Sequence, residues 1–163
     1  MNQELKNLLL QRAGFTACRE LAQMQFQSVG NDLKNFDKLD HDLRAFLLLW
    51  WLSMTFCGGG IEMYFSDICA DYHYEYLDLF NQIGADEALS IFQSAEKILK
   101  EPVVFSDRML RLDKIHKILN NLDEEDEWYD SCETIDLRFY KMKGDNFEEL
   151  LISYLEKNIF PYK

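Results

Sequence analysis

Residues 45–71 read AFLLLWWLSMTFCGGGIEMYFSDICAD, and the rest of the chain must be arranged around them. Over the thirteen residues from Ala45 to Cys57, only Ser53 and Thr55 carry a side-chain oxygen. A bilayer span needs roughly 17–25 apolar residues. A helix apolar on nearly every side and shorter than that is expected to be the central core helix of a folded protein. Gly58-Gly59-Gly60 then permits backbone angles that a side chain forbids. A second apolar run follows from Ile61, with the aromatic pair Tyr64 and Phe65. Met54, Met63 and Trp50-Trp51 are expected in the core.

Around this hairpin the pattern is helical throughout. Leu5, Leu8, Leu9, Phe15, Leu21 and Phe26 fit one or two amphipathic helices over residues 4–28, broken near Gly14. Val29 to Asp40 reads as a loop or single turn, and Asp40 is placed to cap the core helix. The second helix of the hairpin is expected from Ile61 to about Ala70. The run Asp71–Phe80 alternates in part, but Tyr72, Tyr76, Leu79 and Phe80 fit helical spacing, and no partner strand is evident. Ile83-Gly84-Ala85 stops that helix. Ala88, Leu89, Phe92, Ala95, Ile98 and Leu99 form the next stripe, which ends before Pro102. A further helix opening at Ser106 is expected to bury Met109, Leu112, Ile115 and Leu119. Ile135 to Met142 is taken as helix over short strand. Asp145 and Glu148 resemble a capping box for a last helix carrying Phe147, Leu150, Leu151, Tyr154 and Leu155. The expectation is an all-α fold: one compact multi-helix domain, residues 1–163, with residues 1–40 as an N-terminal helical extension.

The chain has 163 residues, and 48% hydrophobic with 28% charged residues describes a globular protein. Its formal net charge is −12. That charge disfavours contact with phosphate backbones or anionic lipid and favours solubility or a basic partner. Cys18, Cys57, Cys69 and Cys132 are scattered without a C-x-x-C pair, and the N-terminus lacks an apolar signal core. A reduced, cytoplasmic protein without metal, cofactor, direct nucleic-acid or membrane contact is expected.

From Gly58 onward the sequence resembles the bacterial DNA-mimic protein family (DMP, the nineteenth of that name). Its members carry a motif close to N-G-G-F-x-Q-(F/Y)-F-x-N-x-x-G. Here Gly59, Gly60, Tyr64 and Phe65 match. Gly58 replaces the first Asn, Ile61 the Phe, Met63 the Gln, Asp67 the second Asn and Ala70 the last Gly. Ile83-Gly84-Ala85, the helix from Leu89 to Leu99, Leu122-Asp123, Trp128-Tyr129 and the closing helix through Tyr154 extend the likeness, which covers residues 43–158. The resemblance implies an all-helical fold and mimicry of duplex DNA toward a transcription factor. The family-motif turn is Gly58, Gly59, Gly60, Tyr64, Phe65 and Asp67. The departures weaken a binding role for the motif's polar positions, whereas Gly58 and Asp67 still suit a turn that only bonds its own backbone.

The charge itself has a locus. Asp123 to Asp136 holds eight acids (Asp123, Glu124, Glu125, Asp126, Glu127, Asp130, Glu133 and Asp136) with no Lys or Arg between them. As a helix of about 1.5 Å per residue, that is about one charge per 2.6 Å, against about 1.7 Å for duplex DNA. Asp126, Asp130, Glu133 and Asp136 can share a face. Acids in a first helical turn also favour the helix dipole without any partner, and Glu124 and Glu125 fit that reading. Asp67 to Glu101 forms a second acidic region, with eight acids against two lysines. Asp123, Glu124, Glu125, Asp126, Glu127 and Asp130 are the candidate partner-binding residues; Glu133 and Asp136 are left unassigned.

Other chemistry has less behind it. Asp71 and Glu75 flank His73, but a lone His in aromatic surroundings is more often packed or solvated than catalytic. Gly58-Gly59-Gly60 follows a helix, lacks G-x-G-x-x-G and has no phosphate-loop Lys, which argues against nucleotide binding. The expectation is a non-enzymatic acidic module that binds a basic protein, a DNA-binding regulator in the DNA-mimic form. The alternatives are an immunity protein neutralising a basic nuclease toxin, an uncharacterised enzyme, or a small structural subunit. Oligomeric state is not legible.

Overall fold

A computed structural model describes residues 15–29, 33–99, 104–142, 147–154 and 157–158. Among these the regular structure is helical, without strands. The α-helices are α1 (Phe15–Val29), α2 (His41–Ser66), α3 (His73–Ile83), α4 (Asp86–Ile98), α5 (Arg108–Leu119), α6 (Leu122–Lys141) and α7 (Phe147–Tyr154). Short 3₁₀ turns at Leu33–Lys38 and Ile68–Tyr72 join them. The expected break near Gly14 and the Asp145 cap lie outside the described residues.

The chain groups into two units, with the boundary inside α2 between Trp50 and Trp51. The first holds α1, the turn Leu33–Lys38, the start of α2, and α7. Asp40 caps α2 as expected: its Oδ1 accepts from the Leu43 N–H at 3.0 Å. α1 buries Cys18, Leu21 and Ala22 and packs against α7, which buries Leu150, Leu151 and Tyr154. The Tyr154 hydroxyl donates to Asp42 at 3.3 Å.

The second unit holds the remainder of α2 and α3 to α6, with α3 against α4 and α6 against both α4 and α5. Its core is aromatic. Phe56 stacks on Phe139 with centroids 4.2 Å apart, Tyr64 meets Phe92 edge-on at 5.2 Å, and Phe65 meets Trp128 at 5.7 Å. Such pairs add about 0.5–1.5 kcal/mol each beyond the area they bury.

By length and composition alone, α2 is a described helix able to cross a membrane. However, 61% of its most apolar window is buried within the protein. It is also two arms, not one rod. Gly59 is extended (φ −177°) and Gly60 lies at φ 61°, ψ −152°, a region open essentially to glycine alone. Met54 and Met63 are half-exposed on this helix, contrary to the expectation that both fill the core.

The second arm stops at Ser66, short of Ala70. Asp67 turns to extended backbone and its carboxylate accepts from the Cys69 N–H at 2.7 Å, starting the 3₁₀ turn instead. The Asp71–Phe80 run is helical from His73, after that turn. Gly84 ends α3 in the left-handed conformation, φ 73°, where a glycine carries no Cβ penalty. Asp107, one residue past the expected Ser106, caps α5 through the Met109 and Leu110 N–H groups.

Candidate functional site

α6 is the acidic helix, 20 residues and about 30 Å long. Asn121 starts it by accepting from the Asp123 N–H, and its amide donates to Glu124 Oε1 at 2.9 Å. Glu124 is thereby part of the helix start, as the dipole reading allowed. Trp128, Cys132, Ile135 and Phe139 recur at steps of four, three and four and face the core. At about 100° per residue, the opposite stripe is Asp123, Asp126, Asp130, Glu133 and Leu137, all exposed. Glu127 is also exposed on one flank, and Glu125 is half-buried.

This divides the eight acids. Asp123, Asp126, Glu127, Asp130 and Glu133 are solvent-facing over about 15 Å of helix, or about one charge per 3 Å. That density matches one DNA strand, about 3.4 Å per phosphate, and not the duplex. Asp136 leaves the outward face. It turns toward the glycine break, where its Oδ1 accepts from the Ile61 N–H at 2.8 Å.

One turn further along α6, the Tyr140 hydroxyl donates to the Phe56 carbonyl at 2.8 Å. Two side chains four residues apart thus hold both sides of the break: a carboxylate on an N–H of the second arm, a phenol on a carbonyl of the first. Backbone groups next to a helix break gain from outside partners, and α6 supplies one on each side. Burial raises the Asp136 pKa against the Ile61 hydrogen bond, which lowers it. Burial, then Asp136, raises that of Glu62. Burial pushes the Cys132 thiol up to about 12, with Glu62 and Asp136 adding to it.

The far end of the second arm is held by α5. Arg111 is fully buried, with Nε donating to the Phe65 carbonyl at 3.0 Å and Nη2 to the Asp67 carbonyl at 2.9 Å. Its Nη1 makes an ion pair with Asp71 Oδ1 at 2.7 Å. α5 accordingly buries Arg111, Ile115 and Ile118, while Met109 is 72% exposed. The Met109 stripe expected from the sequence is rotated, because a guanidinium given three acceptors can occupy a core position.

His73 is buried in the same unit. Its Nδ1 is hydrogen-bonded to the Tyr64 hydroxyl at 2.8 Å, and Nε2 faces Glu96 Oε1 at 3.2 Å. Phe105 stacks on the ring with centroids 3.9 Å apart. Burial, then Arg111, lowers its pKa to about 4. A neutral ring that donates at Nε2 to the Glu96 carboxylate accepts at Nδ1 from Tyr64, and this tautomer satisfies both contacts.

The motif turn and the acidic helix, read separately in the sequence, meet at Asp136. Gly58 and Gly59 lie under the Met63 side chain, Gly60 lies against Asp136, Tyr64 and Phe65 fill the core, and Asp67 caps the 3₁₀ turn. Arg111, Asp136 and Tyr140 were missed as site organisers. Arg111 left little signal: it is in step with Ile115 and Ile118, but Arg108, Lys114 and Lys117 on the same helix make it one cation among four.

The fold and site define an all-helical protein built on a broken apolar helix, with one acidic helix clamped across the break. The chain belongs to the DMP19-like protein family, whose model matches residues 37–158. No curated protein and no solved structure matches it.

Proposed function

We propose that this protein is a non-enzymatic DNA mimic: it occupies the basic, DNA-binding surface of another protein in the cytoplasm and so competes with DNA for it. The observation that carries the reading is the row of exposed carboxylates on α6, spaced like the phosphates of one strand. Family membership supports it. A carboxylate row fixed on a helix whose other face is anchored in an aromatic core keeps its spacing, and preorganised charge loses less on binding than charge on mobile loops. An acidic surface repels nucleic acid and other acidic proteins and is steered toward Lys/Arg surfaces.

The test is affinity capture of the tagged protein's partners from its native lysate, eluted by duplex DNA and, separately, by salt. Release of a DNA-binding protein by both supports mimicry. Retention of a nuclease indifferent to duplex DNA moves the function to immunity against that nuclease. Retention of no salt-sensitive basic protein contradicts the proposal.

A further inference from the structure

Beyond Glu133 the outward stripe of α6 changes character. Leu137 continues it, 46% exposed, and forms one wall of a groove of about 480 Å³ with Glu87, Thr134, Arg138, Lys141 and Met142. The groove lies between α4 and the last turns of α6. Its basic wall is fixed in place: Arg138 donates to Glu87 Oε1 at 3.2 Å, to Ser90 Oγ at 3.1 Å and to Ser94 Oγ at 3.3 Å. A row of phosphates has no counterpart to this end of the helix, where an apolar side chain and two cations follow four acids.

We infer that the partner is engaged through an amphipathic helix that lays Lys or Arg side chains along Asp126, Asp130 and Glu133 and seats an aliphatic side chain in the groove beside Leu137. Charge complementarity selects this occupant. A second copy of α6 is disfavoured as the occupant, because its outward face carries the same exposed Asp126, Asp130 and Glu133, and juxtaposed like charges oppose pairing. The groove adds what charge alone lacks: a contact that salt does not screen, with apolar anchors at helical spacing as in other helix-in-groove recognition. This inference rests on the proposed function for its acidic half and extends it at the apolar half.

The test uses the full chain and two fluorescein-labelled synthetic helical peptides. Both carry four Lys at three- and four-residue steps; on the same face one continues with two Leu and the other with two Ser. Binding is read by fluorescence anisotropy across salt concentrations. The expected result is that the Leu peptide binds about tenfold or more tighter near physiological salt. Leu137→Ser, an exposed substitution, should remove that advantage and leave the Ser peptide unaffected. Asp126→Asn/Asp130→Asn/Glu133→Gln should weaken both peptides and flatten their salt dependence. Equal binding of the two peptides, or of neither, overturns the groove inference. Loss of the Leu advantage alone, with the Ser peptide still dependent on the three acids, leaves the acidic-face reading standing. Ser-peptide binding indifferent to the three acids counts against that reading as well.

Discussion

The Ile61 N–H donates to Asp136 Oδ1 at 2.8 Å, across 75 residues of sequence. The bond makes an acid of the charged helix into the cap of another helix, and so separates structural acid from available acid. Asp136→Ala should destabilise the protein by about 1–2 kcal/mol, the usual effect of losing a cap. Asp136→Asn keeps an acceptor and should lose less than half of that. Urea unfolding of the two variants checks the order; an Asn variant as unstable as the Ala variant would show that the charge, not the hydrogen bond, matters there.

Gly60 lies on the other side of the same contact. A Cβ built there lands on the Asp136 carboxylate, in a backbone region closed to L side chains. Gly60→Ala should destabilise by about 3 kcal/mol or more. At Gly58 the atom met is the flexible Met63 Sδ at 2.9 Å, and Gly58→Ala should stay within about 1 kcal/mol of the parent. Equal losses at the two positions in thermal unfolding would contradict this account of the break.

Arg111 makes the sharpest stability prediction. Arg111→Met strands the Asp71 carboxylate and two backbone carbonyls, a loss of about 3–5 kcal/mol. Arg111→Lys should not restore stability, since one ammonium cannot reproduce the planar fork that reaches Phe65, Asp67 and Asp71 together. Chemical denaturation of both variants checks this, and rescue by Lys would refute the geometric argument.

His73 sets an acid limit. Its pKa falls from 6.5 to about 4 on folding, so the unfolded chain binds the proton first. The stability it contributes is complete above pH 6.5 and is lost as pH falls toward 4, about 3 kcal/mol in all. Asp136 and Glu62, whose pKa values are raised, act in the opposite sense and partly offset the loss. Stability measured from pH 4 to 7 should fall more steeply on acidification in the parent than in His73→Gln, by up to about 1.4 kcal/mol per pH unit. Equal slopes would remove His73 from the acid response.

The features legible in the sequence were those written locally. The apolar run, the glycine break, the Asp40 cap and the Gly84 stop each depend on neighbours within a turn or two, and each is where its residues place it. The all-α fold and the family followed from the same stretches. Contacts between distant segments left no such trace. Asp136 reads as one more surface acid until α6 is laid beside Gly60, and Arg111 reads as solvent-facing until Phe65, Asp67 and Asp71 surround it. Met109 was placed inside for the same reason: hydropathy assigns Arg to water unless acceptors bring it in. Along the acidic helix, spacing already sets Glu124 apart at the helix start, but it groups Asp136 with Asp126, Asp130 and Glu133; only the fold shows that Asp136 turns in to Ile61.

The most direct test of the central claim is competition. With the DNA-binding protein captured from lysate held on its labelled duplex, the full chain is titrated in and duplex displacement is followed by anisotropy. The parent is compared with Asp123→Asn/Asp126→Asn/Asp130→Asn/Glu133→Gln. The account predicts that the parent displaces DNA with strong salt dependence, and that the neutralised variant, still folded, does so at least about tenfold more weakly with a shallower salt slope. Displacement that survives neutralisation unchanged would contradict the claim that these carboxylates stand in for phosphates.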